Sequence, residues 1–367
     1  MINTYYFIIL FFLTFFGSYL LLPQIRILSL KFNLTAMPGV RSSHNKITPS
    51  FGGIAFFISY IVSLSLLQLF FENKVALSLL GGVSVLFLIG LLDDLLDVRA
   101  RVKFFGQFLG VVLLMTQAEF RVISLHGFLG IQEIPLFFSI VLSMFFLLGI
   151  INAFNLLDGI DGLTAITGII VASFYSYMFY GLGYFYYLGI SITTIATLLA
   201  FLRFNFSVSK KIFMGDTGSL TIGLVLGMLT LKLMTAEAIN TSLSLNPKQL
   251  PLLLVSVLFV PILDTFRVMI IRFFKGVSMF SPDRNHIHHI IVDYGLSHLK
   301  ASLLIGLVNI FVGLTMFFVS IKYNTLQSMF FLIGIFTSGI LLLFCMSGTV
   351  SSLRLKRKLK AFILKIF

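Results

Sequence analysis

The chain has 367 residues, 58% hydrophobic and 11% charged, with a mean hydropathy of +1.06. An ordinary soluble domain is about 45–50% apolar and about 25% charged, so a soluble globular protein is excluded and lipid must solvate most of this chain. A formal charge of +13 would suggest nucleic acid in a soluble protein, but no basic domain stands apart from the apolar runs, and Lys and Arg in a membrane protein first serve orientation and headgroup contact.

A hydrocarbon core about 30 Å thick takes roughly 20 apolar residues per helix. Runs of that length recur from residue 2 to residue 346. The first, 2–22, is long enough to span and be retained, unlike a cleaved signal peptide. Further spans are expected at 51–71, 75–92, 104–120, 136–153, 160–180, 184–204, 217–236, 250–273, 301–320 and 327–346. The expected fold is therefore all-α, a polytopic bundle of about 11 transmembrane helices forming a single domain over residues 1–350. Between the fourth and fifth spans, residues 121–134 carry two short β-prone runs around HGFLG, which suggests a small hairpin, with a plain surface loop as the other reading. The end, 351–367, alternates basic clusters with Leu, Phe and Ile and reads as an amphipathic helix on the membrane surface. Cys345 stands alone, so no intramolecular disulfide can form.

An odd number of spans puts the termini on opposite sides. With the N-terminus outside and the C-terminus inside, 21 of the 26 Lys and Arg fall inside, leaving Lys74, Arg121, Lys232, Lys248 and Lys322 outside. That asymmetry is what the positive-inside rule reads. All nine Asp then lie on the inner side, and Glu72, Glu119, Glu133 and Glu237 on the outer. No topology rule sorts the two acids this way, so the Asp set reads as a functional constellation and the Glu as solvated loop residues.

The third span ends GLLDDLLD, with carboxylates at Asp93, Asp94 and Asp97. One Asp would serve as a helix cap, whereas three repel one another unless a cation or nearby Arg99, Arg101 and Lys103 offset them. The fifth span ends INAFNLLDGIDGL, which places Asn152, Asn155, Asp158 and Asp161 beside two Asp-Gly turn steps. Amides and carboxylates are hard oxygen ligands suited to Mg²⁺. Before the eighth span, FMGDTGS brackets Asp216, Thr217 and Ser219 between Gly215 and Gly218. Backbone N–H groups at such a helix start are available to an anion, or Asp216 is simply an N-cap; the Lys-Ser/Thr ending of a nucleotide-hydrolysing phosphate loop is absent. Asp264 and Arg267, near the inner end of the ninth span, read as a structural ion pair. The following SPDRNHIHH groups Arg284, His286, His288 and His289, able to neutralise phosphate oxygens or move protons. Zinc competes for the three histidines, but these loops offer no thiol.

Taken together and in this order, DDLLD, NAFNLLDGIDG, FMGDTGS and SPDRNHIHH resemble the polyprenyl-phosphate N-acetylhexosamine-1-phosphate transferases, glycosyltransferase family 4, over about residues 35–300. The resemblance implies eleven spans, a cytoplasm-facing site in a bacterial plasma membrane, and transfer of GlcNAc-1-phosphate or a related aminosugar phosphate from a UDP-sugar to undecaprenyl phosphate, releasing UMP. Such a step starts O-antigen, common-antigen or teichoic-acid-type glycans. The family implies that Asn155 and Asp216 hold Mg²⁺, with Mn²⁺ as a substitute, and that Asp93 and Asp94 lie beside the attacking lipid phosphate with Lys103 neutralising it. Asn152 is counted with the substrate groups, Asp158 and Asp161 face the nucleotide, and Phe213 stacks on uracil. Arg284, His286, His288 and His289 clamp the sugar phosphate, with His288 grouped among the catalytic residues. The branch transferring phospho-MurNAc-pentapeptide typically carries a Pro-Ile-His-His-His run, and Asp283-Arg284-Asn285-His286 before Ile287 departs from it. A cation-coupled secondary transporter is the reading from another class, since intramembrane Asp and Asn also bind ions. Whether the protein forms a homodimer is left open.

Overall fold

In lipid every backbone polar group must be satisfied within the protein, so long apolar runs are driven into helices. A computed structural model describes residues 4–32, 48–236, 245–278 and 285–366, with side chains as far as residue 348. Thirteen α-helices lie among the described residues: α1 (Thr4–Lys31), α2 (Gly53–Phe70), α3 (Ala76–Leu96), α4 (Ala100–Met115), α5 (Leu136–Leu157), α6 (Leu163–Leu182), α7 (Phe185–Asn205), α8 (Gly215–Met234), α9 (Leu250–Val257), α10 (Phe259–Phe274), α11 (Ile287–Tyr294), α12 (His298–Lys322) and α13 (Thr325–Ile366).

Nine of these are long and apolar enough to cross a membrane: α1, α2, α3, α5, α6, α7, α8, α12 and α13 as far as Gly348. Two of the eleven expected spans come out differently. The ninth is broken into α9 and α10, which meet at 71°. The fourth shortens to the 16-residue α4, because the polar run Thr116-Gln117 ends the helix and a 3-10 turn, Ala118–Phe120, follows. Sixteen residues rise about 24 Å, less than a full hydrocarbon core. The segment still runs the length of α8, since Lys103 pairs with Asp216 at one end (2.8 Å) and Glu119 with Lys232 at the other (2.6 Å).

The bundle is built around α8, of which 94% of the membrane-crossing window is buried. Small residues let its neighbours come close, as van der Waals packing requires where lipid removes the hydrophobic drive between helices. A Cβ on Gly53 would stand 2.2 Å from the Gly218 nitrogen, and one on Gly90 would stand 2.6 Å from Thr217 Cα. Polar links tie other spans: Ser18 to Ser59 at 2.7 Å and Tyr60 to Thr194 at 2.8 Å. The outermost helices turn Ile8, Phe12, Phe16 and Leu20 of α1 and Phe330 and Leu341 of α13 outward, where lipid would meet them.

The expected hairpin forms, with strands β1 (Ser124–Phe128) and β2 (Ile131–Glu133) antiparallel and Phe128 opposite Ile131. Leu129 and Gly130 both take positive φ (52° and 81°), as a two-residue turn matching strand twist requires. At the C-terminal end, α13 is one helix of 42 residues, about 63 Å long. The basic segment 351–366 is helical and continues the last span as part of the same helix.

Candidate active site

The C-terminal ends of α3 and α5 and the N-terminal ends of α4 and α8 converge on one ammonium group. Lys103, on the first turn of α4, lies 2.9 Å from Asp93 Oδ2, 2.8 Å from Asp216 Oδ2 and 3.1 Å from Asn155 Oδ1. Asn155 in turn donates through Nδ2 to Asp216 Oδ1 and, at 2.9 Å, to Ser219 Oγ. Four residues expected to act together, Asp93, Lys103, Asn155 and Asp216, are therefore in direct contact, although they come from four helices.

Asp94 has a different task. Its Oδ1 accepts from the Asp216 N–H and its Oδ2 from the Thr217 N–H, both at 2.9 Å, and the Thr217 hydroxyl donates to it as well. The start of α8 does bind an anion, as the glycine-flanked sequence suggested, but that anion is the protein's own carboxylate. Gly215 makes the approach feasible: its φ is +72°, and a Cβ there would fall 2.0 Å from the Ser50 carbonyl and 2.5 Å from Asp94. Asp97 leaves the group because α3 ends at Leu96, and it is exposed with φ +50°.

Beside the cluster a cavity of about 370 Å³ is lined by Asp94, Asn155, Asp158, Asp161, Phe213, Asp216 and His289, among others. Burial, and then the charge of Asp216, push the Asp158 carboxyl up to about 8. Asp161 is anchored by Lys211 at 2.6 Å and by His298 Nδ1 at 3.1 Å. Arg26 of α1 holds the loop carrying Lys211 by donating to the Ser209 carbonyl at 3.0 Å. Asn152 lies one turn deeper than Asn155 and is used structurally: its amide pairs with Gln107 of α4 (2.9 and 3.3 Å) and donates to the Leu148 carbonyl.

The histidines divide by position. His286 is buried with Nδ1 2.9 Å from Asp264 Oδ2, and the Ile287 N–H donates to Asp264 Oδ1 at 2.8 Å. Asp264 thus holds the histidine loop, and Arg267, its expected ion-pair partner, donates to the Asn285 carbonyl. His288 is also buried and packs on Gly159, where a Cβ would come within 2.1 Å of its Nε2. Burial, reinforced by His289, pulls its pKa down to about 3, so it stays neutral at working pH. Only His289 of the three lines the cavity, which puts it, and not His288, where a ligand would be met. Arg284 lies outside the described residues.

Several contributors went unread in the sequence. Asn205, at the end of α7, accepts from the Gly162 N–H at 2.7 Å and donates to the Ile212 carbonyl at 3.0 Å, joining two cavity loops. Its signal was a lone amide at the end of a span, without the second amide and the Asp-Gly steps that marked Asn155. Lys211 and Gln107 sat among ordinary loop and helix residues. At the opposite end of the bundle, Glu119 is not merely solvated. Burial alone would raise its pKa, but Lys232 and the Tyr187 hydroxyl hold it below the usual carboxylate range, and the Lys232 ammonium lies 4.8 Å from the Tyr184 ring.

Among the described residues no three of His, Cys, Asp and Glu converge as an all-protein metal cage. Mg²⁺ is commonly held by one or two carboxylates with an amide or water and the phosphates of a substrate. The donor set of Asp216 and Asn155 suits that mode, and the cluster has room for more positive charge: Lys103 is shared between Asp93 and Asp216, with Asp94 bonded to the adjoining turn of α8.

A profile described as Glycosyl transferase family 4 matches residues 76–234. A Bacillus subtilis protein named as a probable undecaprenyl-phosphate N-acetylglucosaminyl 1-phosphate transferase is 31% identical over 329 residues, covering 88% of this chain and 85% of its own length. The decaprenyl-phosphate N-acetylglucosaminephosphotransferase of Mycolicibacterium smegmatis is 32% identical, over 82% of this chain and 80% of its own. An undecaprenyl-phosphate alpha-N-acetylglucosaminyl 1-phosphate transferase of Yersinia pestis is 30% identical, over 77% and 76%.

Proposed function

Because the chain belongs to glycosyl transferase family 4, we propose that it transfers N-acetylglucosamine 1-phosphate from UDP-GlcNAc to a polyprenyl phosphate, releasing UMP. The observation that carries this reading is Lys103, held by Asp93, Asn155 and Asp216 at the edge of a polar cavity walled by Phe213 and Asp161. A lipid phosphate and a nucleotide pyrophosphate are both anionic, so the task of the protein is to bring them together and offset their repulsion. A phosphate monoester has its second pKa near 6 and is mostly dianionic at pH 7, which makes a general base unnecessary. Lys103 and His289 neutralise or donate to phosphate oxygens, and Phe213 offers a face for the base. Asp216 and Asn155 are the residues that would hold Mg²⁺, which supplies positive charge to the donor's pyrophosphate.

The transporter reading finds less support, because coupling-ion sites usually sit at a broken helix near the midplane, whereas Lys103 and its partners come from helix ends. Purified protein in detergent should release UMP from UDP-GlcNAc only when undecaprenyl phosphate is present. Release without lipid phosphate, or activity confined to UDP-MurNAc-pentapeptide, would overturn the assignment.

The site faces the cytoplasm in this reading, on the strength of the Lys and Arg asymmetry. Ser209 near the site and Gln132 in the hairpin are both exposed. With Cys345 replaced by Ser, an impermeant thiol reagent on intact cells should label Gln132→Cys and spare Ser209→Cys. Labelling in the reverse pattern would invert the topology.

A further inference from the structure

Pro261 has no N–H and cannot bond the carbonyl four residues back, which is that of Val257. The chain breaks there: α9 ends at Val257, α10 starts at Phe259, and the helix ladder resumes when Ile262 donates to the Leu258 carbonyl at 3.1 Å. In an apolar bundle the groups freed by such a break need partners. One side chain supplies them for both helices. Asn309 of α12 donates through Nδ2 to the Val257 carbonyl at 3.0 Å and accepts through Oδ1 from the Val260 N–H at 3.1 Å. It is 1% exposed and borders an apolar cavity of about 350 Å³ lined by Ile169, Phe174, Val257 and Gly313. Asp264 follows Val260 by one helical turn, and it is Asp264 that fixes His286 and the Ile287 N–H, with His288 on Gly159 and His289 on the polar cavity.

We propose that Asn309 is a positioning residue for the transfer site: its amide holds the break between α9 and α10 at a fixed angle, and so sets Asp264 and the histidine loop against the cavity. The proline makes the break permissible, and the asparagine determines its geometry. This inference leans on the proposed transfer reaction only for its activity readout.

The test compares Pro261→Ala, Asn309→Leu and the double variant, each with Cys345→Ser and spin labels at Lys248→Cys and Lys275→Cys. A straight helix between those labels would span about 40 Å, and a 71° bend shortens it to about 33 Å. Pro261→Ala alone, with Asn309 in place, should keep the short distance and activity within about threefold of the parent. Asn309→Leu should lose thermal stability and activity together. The double variant has an N–H at 261 for the Val257 carbonyl, so it should regain stability, show the distance about 7 Å longer, and still lose at least about tenfold in kcat with KM little changed. A double variant that regains activity with stability would make Asn309 merely structural and overturn the proposal. So would a double variant no more stable than Asn309→Leu, an unchanged distance, or full activity in Asn309→Leu. A parent protein with no transfer activity would sink the proposed function while the distances still judged the clamp.

Discussion

Asp216→Asn is expected to lower transfer by about 10³-fold, or about 4 kcal/mol of barrier, without lowering thermal stability. The two halves of that expectation rest on different atoms. Catalytic loss follows from the side chain, whose Oδ1 meets Asn155 and whose Oδ2 meets Lys103 at 2.8 Å. An amide in its place puts an NH₂ against one of these donors and removes the charge that would draw Mg²⁺ to the donor's pyrophosphate; losing a single group of this electrostatic kind typically costs 10²–10³ in rate. Stability is spared because Asp94 caps α8 through the backbone N–H of Asp216, at 2.9 Å, and Asn supplies the same N–H. Lys103 also keeps Asp93 at 2.9 Å. Steady-state UMP release with saturating substrates, and a melting curve in the same detergent, check both halves. Chelation should abolish activity in the parent protein, with Mg²⁺ or Mn²⁺ restoring it. Full activity after chelation, or rescue by zinc alone, would move the metal away from Asp216.

What could be read from sequence was what composition and helix length impose. Runs such as 136–153 and 184–204 became α5 and α7 because lipid leaves an apolar segment of that length no other way to satisfy its backbone. A hairpin around HGFLG was legible for a similar local reason, but its turn was not placed: His126, Gly127 and Phe128 of that run lie in β1, and the turn is Leu129-Gly130. The break at Leu258 was less so: proline is tolerated in membrane helices, and whether Pro261 bends or splits the span depends on Asn309, 48 residues further along. Roles within the Asp cluster were hidden by geometry that only packing reveals. Asp93 and Asp94 are neighbours of identical chemistry, pointing about 100° apart on a helix, and the close approach of α8 at Gly90 and Gly53 puts Asp94, not Asp93, on its backbone N–H groups. The same holds for His288 and His289. Adjacent on α11, they divide into one packed under Gly159 and one facing the cavity. Glu119 looked solvated because its partner Lys232 lies at the far end of another span.

Asp94→Ala should cost stability and activity together, in contrast to Asp216→Asn. The carboxylate takes two backbone N–H groups and a hydroxyl from the first turn of α8, where Thr217 is buried. Losing an N-cap costs about 0.5–2 kcal/mol, and leaving buried donors unpaired adds about 1–3 kcal/mol each, so a total of about 2–4 kcal/mol is expected, seen as a lower melting temperature. Asp216 is the second residue of that turn, and its displacement from Lys103 and Asn155 should lower transfer by at least about 10²-fold. Asp94→Asn keeps one acceptor and should fall between the two. A rival mechanism makes Asp93 or Asp94 a nucleophile that takes the phosphosugar from UDP-GlcNAc before the lipid arrives. For Asp94 that would mean abandoning three hydrogen bonds in mid-reaction and reforming them each cycle. Asp93 is less committed, accepting from the Val98 N–H at 3.0 Å and from Lys103, so it is the stronger form of the rival. A covalent route exchanges labelled UMP into UDP-GlcNAc when no polyprenyl phosphate is present, whereas direct attack by the lipid phosphate does not. No exchange is expected from delipidated enzyme, and robust exchange that disappears in Asp93→Asn would replace the direct mechanism with the two-step one.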